Sequence, residues 1–355
     1  MNFASDNIVG VHPAILQALI DANAGPQAAY GEDEHTGQAV ADLSAVFETD
    51  LEAFLVTTGT AANSLSLAAM APPFGAVFCH EDAHIAVDEC GAPEFFTGGA
   101  KLFGLPGPTG KITPETVTAT LDGFVKGVHD PMPAAISITQ ATELGTLYTP
   151  AEIRALADLA HAHDMGLHMD GARFANALVS LGCSAAEMTW QAGVDILSFG
   201  GTKNGAMTLE VVTIFDPQLA TDFNYRRMKA GQLLSKGRYL GAQLTAYLAD
   251  DLWLANARHA NAMATRLANG LAETEGVRLP LPTPANEVFP IMPRSVMERL
   301  HQSGAAFYEW PGNGPGTDSI GPDEAFVRLV CSFTTTTDEV DTFLELVATT
   351  AGQAA

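Results

Sequence analysis

Short apolar runs that end in polar, glycine-bearing turns recur through the first 215 residues, with helix-like stretches between them. Phe54-Leu55-Val56-Thr57 runs into Thr58-Gly59-Thr60-Ala61-Ala62-Asn63 and then an Ala/Leu-rich helix to about Ala71. Ala76 to Cys79, the Ile-rich Ala134 to Thr139, Leu167 to Asp170, Val194 to Phe199 and Val211 to Phe215 read as further strands. Thr149-Pro150-Ala151-Glu152 has the parts of a capping box, and Ile153, Leu156, Ala157 and Ala160 share one face of the helix that follows. Strands alternating with helices specify an α/β chain with a mostly parallel, doubly wound sheet.

The flanks read differently. Pro13 opens a helix that carries Ile15, Leu16, Leu19 and Ile20 on one face. A polar, Gly-containing stretch from Asn23 to Gly37 follows, then helical spacing from Val40 to Phe47. Beyond Tyr225 a long helical region is expected to about Leu271, and Pro280, Pro282 and Pro284 then punctuate the chain. From Asn286 to about Ala348 short strands mix with one helix that starts near Thr336. With 355 residues, the chain divides into residues 1–250, an N-terminal segment plus a large domain, and residues 251–355, a small C-terminal α+β domain.

Charge narrows the function classes. Lys+Arg number 17 against 41 Asp+Glu, a formal net charge of −24. An anionic surface of that size repels phosphate backbones and anionic lipid, so neither nucleic acid nor membrane is an expected partner. No run approaches transmembrane length, and the start lacks a basic region followed by an apolar stretch, so no signal peptide is expected. The four cysteines (Cys79, Cys90, Cys183, Cys331) show no CxxC spacing. Reduced thiols, a cytoplasmic location and no metal site follow as expectations.

Ligands of open α/β sheets sit at the carboxyl ends of strands, and four polar clusters fall there. In Thr58 to Asn63, a glycine between two threonines leaves backbone N–H groups and hydroxyls at a helix start, which suits a phosphate; an ordinary capped turn is the other reading. In His168-Met169-Asp170-Gly171-Ala172-Arg173, Asp170 ends a strand as either a turn residue or a partner for a protonated ring nitrogen. In Ser198 to Gly205, Lys203 lies among glycines, in a cleft or on a surface loop. His80-Glu81-Asp82-Ala83-His84 adds an imidazole that is either structural or able to stack on a ring. Phosphate loop, strand-end Asp and strand-end Lys, in that order, are the parts that hold pyridoxal phosphate.

The sequence resembles the low-specificity L-threonine aldolases, fold-type I enzymes that depend on pyridoxal 5′-phosphate. The matching segments are Ala4 to Asn7, Tyr30 to Asp33, Thr58 to Asn63, His84 to Gly91, His168 to Arg173, Ser198 to Gly205 and Val327 to Val330, spread over nearly the whole chain. A related branch that includes phenylserine aldolases shares Gly200 to Gly205 and Ala230 to Lys236. The resemblance implies that Lys203 binds the cofactor covalently, Asp170 meets the pyridine nitrogen, and Gly59, Thr60 and Thr202 hold the phosphate. His84 would stack on the ring. Ser5, Arg173 and Arg328 would bind the substrate α-carboxylate, Arg173 also bordering the cofactor. Tyr30 and Arg238 would reach a neighbouring subunit's site in a homo-oligomer, a dimer of dimers; Arg226, Arg227, Lys229 and Lys236 compete with Arg238 for that role. Many members carry a histidine where Glu143 stands here.

The implied reaction is a reversible retro-aldol cleavage of β-hydroxy-α-amino acids to glycine and an aldehyde, with His84 or Glu143 as the base at the β-hydroxyl. A β-eliminating lyase or a serine hydroxymethyltransferase-like enzyme on the same fold is the alternative, recognised by pyruvate and ammonia or by folate dependence. A pyridoxal phosphate-binding protein without turnover is a further one. A nicotinamide dehydrogenase is disfavoured because no GxGxxG follows an early strand.

Overall fold

The computed structural model describes residues 1–310 and 320–351. Its main sheet has seven strands: β1 (Glu52–Val56), β2 (Gly75–His80), β3 (Lys101–Leu105), β4 (Met132–Thr139), β5 (Gly166–Gly171), β6 (Ile196–Gly200) and β7 (Glu210–Ile214). Their spatial order is β1-β7-β6-β5-β4-β2-β3. Only β7 runs against the rest, antiparallel to β1 and β6. Strands β2, β4, β5, β6 and β7 are buried almost end to end, as a sheet covered on both faces requires. One face carries the Gly59–Met70 helix, whose Ala61, Ala62 and Leu65 pack on Val56, Val212 and Ile214. The other carries the Glu34–Phe47, Pro150–Ala162 and Phe174–Leu181 helices over a larger apolar core.

β3 escapes a reading of the sequence because it is an edge strand with only Leu105 buried, so its apolar alternation is weak. The expected helical region after Tyr225 is broken into three helices, Phe223–Lys229, Arg238–Leu248 and Leu252–Ala272. The first break contains Gly231 at φ +70°, the second Asp250 and Asp251 at φ +51° and +56°. A left-handed backbone cannot continue a right-handed helix.

A second core lies over a small antiparallel sheet. Here β11 (Glu324–Val330) is central, paired with β8 (Glu287–Val288), β9 (Ile291–Pro293) and β10 (Tyr308–Glu309). Two helices cover it, Arg294–Gln302 and Thr337–Ala351. The first is not expected from the sequence; the second starts near Thr336 as expected, capped by reciprocal hydrogen bonds between Thr336 and Glu339. The Leu252–Ala272 helix serves both cores: Trp253 and Ala257 pack into the first, Ala264, Leu267 and Leu271 into the second. The N-terminus is sewn to the second core as well. Phe3 is buried in it, and the Phe3 carbonyl accepts from the Val330 N–H at 2.8 Å. That stitch carries Ser5, Asp6 and Asn7 toward the edge where the main strands end. No helix among the described residues is long and apolar enough to cross a membrane.

Candidate active site

Parallel strands deliver their C-terminal residues to one edge, and two cavities meet there. The smaller, about 270 Å³, is walled by Thr57 to Thr60 after β1, Thr139 at the end of β4 and Ala141 just beyond it, Asp170 from β5, Thr202 and Lys203 after β6, and Glu210. The larger, about 570 Å³, is walled by Ser5, Val87, Asp88, Leu144, Trp310 and Arg328 among others. Asn7, His84, Glu143, Arg173 and Lys203 line both.

The smaller cavity has chemically distinct ends. At one, the Thr58 hydroxyl caps the Gly59–Met70 helix by accepting from the Ala61 N–H at 3.1 Å. The capped-turn reading is therefore correct for Thr58, and the first-turn amides of Gly59 and Thr60 still lack intrahelical acceptors, which suits an anion. Gln232 fastens this turn by accepting from both the N–H and the hydroxyl of Thr57, at 3.0 and 2.9 Å. At the other end, the Asp170 carboxylate accepts from the Ala172 N–H at 3.0 Å and the Asn63 amide at 2.8 Å. Both donors are neutral, so the negative charge of Asp170 is left for a cationic ring nitrogen.

Lys203 occupies the short Thr202–Asn204 turn between these ends. A Cβ at Gly200 would lie 2.7 Å from the Ala172 carbonyl, so only glycine lets the chain pass there. Gly205 leaves the turn at φ +114°. The turn is anchored by Asn204, which donates to the Tyr247 hydroxyl at 2.7 Å and the Trp253 carbonyl at 2.8 Å. The residues therefore fit pyridoxal phosphate: an amine, a carboxylate on one side of it, and an anion-binding turn on the other.

His84 starts a short helix after β2. Its Nδ1 meets the buried Glu89 carboxylate at 2.9 Å, and Glu89 also accepts from Asn63 at 2.9 Å. The bond to Glu89 raises the His84 pKa above the ordinary imidazole value in spite of partial burial. The Asn63 amide thus ties the His84–Glu89 pair to Asp170. Glu143 accepts from the His84 backbone N–H at 3.3 Å. Burial pushes its carboxyl up to about 7, although Lys203 and His84 pull it down. His168, by contrast, is a core residue between Ser137 at 2.9 Å and Ser198 at 3.0 Å, pushed down to about 4 by burial.

Two arginines line the larger cavity. Arg173 donates in bidentate fashion to Asp6, Nε to Oδ2 at 2.8 Å and Nη2 to Oδ1 at 3.1 Å. Its Nη1 lies 3.4 Å from Glu287. Burial disfavours the charge, but Asp6 and Glu287 outweigh it and raise the Arg173 pKa further. Arg328 lies 3.8 Å from the other Glu287 oxygen and 4.0 Å over the Trp310 ring. Among the described residues, the Arg328 Nε and both Glu287 oxygens have no hydrogen-bond partner. Two guanidinium groups therefore share one buried carboxylate at long range, leaving donor capacity for an incoming carboxylate.

Of the residues expected at the site, Ser5, Gly59, Thr60, His84, Glu143, Asp170, Arg173, Thr202, Lys203 and Arg328 line these cavities. Tyr30 and Arg238 do not. The Tyr30 N–H donates to the Ser235 carbonyl at 3.1 Å, and Arg238 donates to the Gly25 carbonyl at 2.9 Å. Both therefore sit on a neighbouring patch, where Tyr30 is exposed. Sequence reasoning misses Asp6, Glu89, Glu210, Glu287 and Trp310, and gives Asn63 no role. Only Asn63 carries a local signal, one turn into the helix that follows the phosphate-binding residues.

Known proteins share this sequence pattern and fold. The sequence model of beta-eliminating lyases matches residues 2–293. A low-specificity L-threonine aldolase from Pseudomonas aeruginosa is 44% identical over 340 residues, covering 95% of this chain and 94% of the relative. A low-specificity L-threonine aldolase from Candida albicans is 23% identical over 344 residues, 96% of this chain and 87% of that one. The solved structure of threonine aldolase from Leishmania major superposes with a TM-score of 0.91 at 28% identity, covering 99% of each chain. The chain belongs to the beta-eliminating lyase family and, within it, to the low-specificity L-threonine aldolases.

Proposed function

We propose that this protein cleaves L-threonine, L-allo-threonine and related L-β-hydroxy-α-amino acids to glycine and an aldehyde, reversibly, with pyridoxal 5′-phosphate as its cofactor. The position of Lys203 carries the reading: it borders both cavities, with Asp170 in one and the Arg173–Arg328 pair in the other. Pyridoxal phosphate, when bound, supplies a sink for the electron pair released as Cα–Cβ breaks.

The chain's own residues do the rest. Asp170 would keep a proton on the ring nitrogen, and Gly59, Thr60 and Thr202 would hold the phosphate. Lys203 would hold the cofactor covalently between substrates. Arg173 and Arg328, with Ser5, grip the α-carboxylate, which fixes rotation about Cα and selects the bond that breaks. Glu143 takes the β-hydroxyl proton. A carboxyl at about 7 combines basicity with a usable ionised fraction at neutral pH. His84, held by Glu89 through Nδ1, would stack on the ring, and its Nε2 can exchange a proton with substrate. The aldehyde departs through the larger cavity, where Val87, Leu144 and Trp310 offer apolar surface that suits phenylserine too.

Tyr30 and Arg238 complete the site of a second copy in a homo-oligomer. A cytoplasmic location suits the four unpaired cysteines, two of which, Cys79 and Cys331, are pushed up to about 12 by burial and are inert. β-Elimination is the second reading, favoured by Glu143: in its protonated form it could release the β-hydroxyl as water. Product analysis with L-threonine, L-allo-threonine and L-phenylserine separates the two. Glycine plus the matching aldehyde supports cleavage, and a 2-oxo acid plus ammonia supports elimination.

A further inference from the structure

Glu210 is a buried carboxyl that the reaction above does not use. It opens β7, the one strand that runs against the others, so it starts where they end. Val212 and Ile214, on the same face of the strand by alternation, pack on Ala61, Ala62 and Leu65 of the Gly59–Met70 helix. Glu210 thus faces the N-terminal end of that helix, and it lines the smaller cavity together with Thr58, Gly59, Thr60 and Thr202. A carboxyl at the end of the cavity assigned to a phosphate is unexpected, because two anions repel there in a low dielectric.

We propose that Glu210 keeps a proton and donates it in a hydrogen bond to the cofactor phosphate, so that the enzyme holds pyridoxal phosphate more tightly below neutrality than above it. The proposal rests on the cofactor assignment made above. The charged or titratable groups that act on Glu210 are Lys203 after β6, Asp170 at the end of β5, and Tyr247 of the Arg238–Leu248 helix. Lys203 is committed to the cofactor, Asp170 is itself anionic, and Tyr247 is pushed above the ordinary phenol value by burial. None of them cancels a second negative charge at the phosphate. Without cofactor, burial already pushes Glu210 up to about 7, with the Thr202 hydrogen bond and Lys203 opposing. A nearby phosphate dianion moves it further in the same direction. By linkage, a group whose pKa rises on binding favours the complex at low pH and disfavours it once pH exceeds its value in the free protein.

The test is equilibrium dialysis of the holoenzyme from pH 6 to 9, reading bound pyridoxal phosphate for the wild type, Glu210→Gln and Glu210→Ala. Comparison at each pH cancels the cofactor's own titrations. The wild-type Kd should rise relative to Glu210→Gln by about tenfold per pH unit above 7, the limiting slope for one linked proton. Glu210→Ala should bind more weakly than the wild type at pH 6 and more tightly at pH 9. The ³¹P resonance of the bound phosphate should titrate in the wild type in this range and flatten in Glu210→Gln. Parallel Kd profiles for all three proteins would overturn the proposal. A wild type that binds no cofactor at any pH would overturn the cofactor assignment beneath it, a result distinct from parallel profiles.

Discussion

The two cavities that meet at Lys203 are built in opposite ways. The smaller is made mainly by residues at the carboxyl edge of one sheet. Its Thr58 to Thr60, Asp170 and Lys203 each follow an apolar run, and neutral hydrogen-bond partners (the donors Asn63 and Ala172, the acceptor Gln232) hold the parts in place. The larger is assembled from distant parts of the chain: Ser5 and Asp6 from the N-terminus, Arg173 after β5, and Glu287, Trp310 and Arg328 from the second core. Charge holds it together, with two carboxylates set against two guanidinium groups. The difference separates duties. The first cavity fixes one cofactor for every substrate, and the second grips and discriminates the amino acid. It also explains where an acidic chain puts its scarce cations: Lys203, Arg173 and Arg328 converge where a phosphate and a carboxylate must be bound.

Four substitutions sharpen or break that division. The largest effect is expected for Glu143→Gln, at the shared wall. Loss of the base should lower kcat by roughly 10²- to 10⁴-fold for all substrates. The wild-type profile of kcat/KM should rise with pH through about 7 as Glu143 ionises, and the variant should lack that limb. An unchanged profile would assign the base elsewhere, with His84 next in line.

Asp6→Asn tests whether charge holds the larger cavity. Arg173 would remain buried with its bidentate partner gone, at a cost of about 3–5 kcal/mol in unfolding free energy, measurable by urea titration. The folded Asp6 pKa is depressed: burial raises it, but Arg173 and the other partners lower it more. Its contribution is therefore fully present above the ordinary carboxylate value and is lost as pH falls through the folded value. The wild type should lose its margin over the variant only in acid; a margin that persists there would contradict the assignment.

Arg328→Lys should raise KM roughly 10- to 100-fold, the scale of a lost charge-assisted hydrogen bond of about 1.5–3 kcal/mol. Its kcat should change far less, because the grip on the carboxylate is made before the reaction and kept through it. An equal fall in kcat would move Arg328 into the chemistry. The smallest effect belongs to Trp310→Ala, which removes a cation–π contact of about 0.5–2 kcal/mol and one apolar wall. It should weaken phenylserine more than threonine; equal losses would leave Trp310 only as a support for Arg328.

The same contrast decides what the amino-acid sequence makes legible. A strand followed by a glycine turn is a local pattern, so Thr58 to Thr60, Asp170 and Lys203 stand out by their neighbours along the chain. Arg173 and Arg328 are reached only through resemblance, and their partners Asp6 and Glu287 carry no local signal. Nothing beside Glu287 in sequence says that β8 will bring it under two arginines. Glu210 is hidden for a topological reason: a carboxylate that opens a strand reaches the carboxyl edge only if that strand is antiparallel, and the run Val211 to Phe215 does not state its direction. Tyr30 and Arg238, which lie outside both cavities, belong to a question of assembly that one chain's pattern does not pose.

The central claim is that Lys203 carries cofactor-dependent cleavage of the Cα–Cβ bond. The direct measurement is product stoichiometry from L-threonine with the purified holoenzyme and with Lys203→Ala. Equal amounts of glycine and acetaldehyde from the wild type, falling by roughly 10⁴- to 10⁶-fold in rate in the variant, are the predicted result. A 2-oxo acid with ammonia in place of glycine, or glycine formation that survives Lys203→Ala, would contradict it.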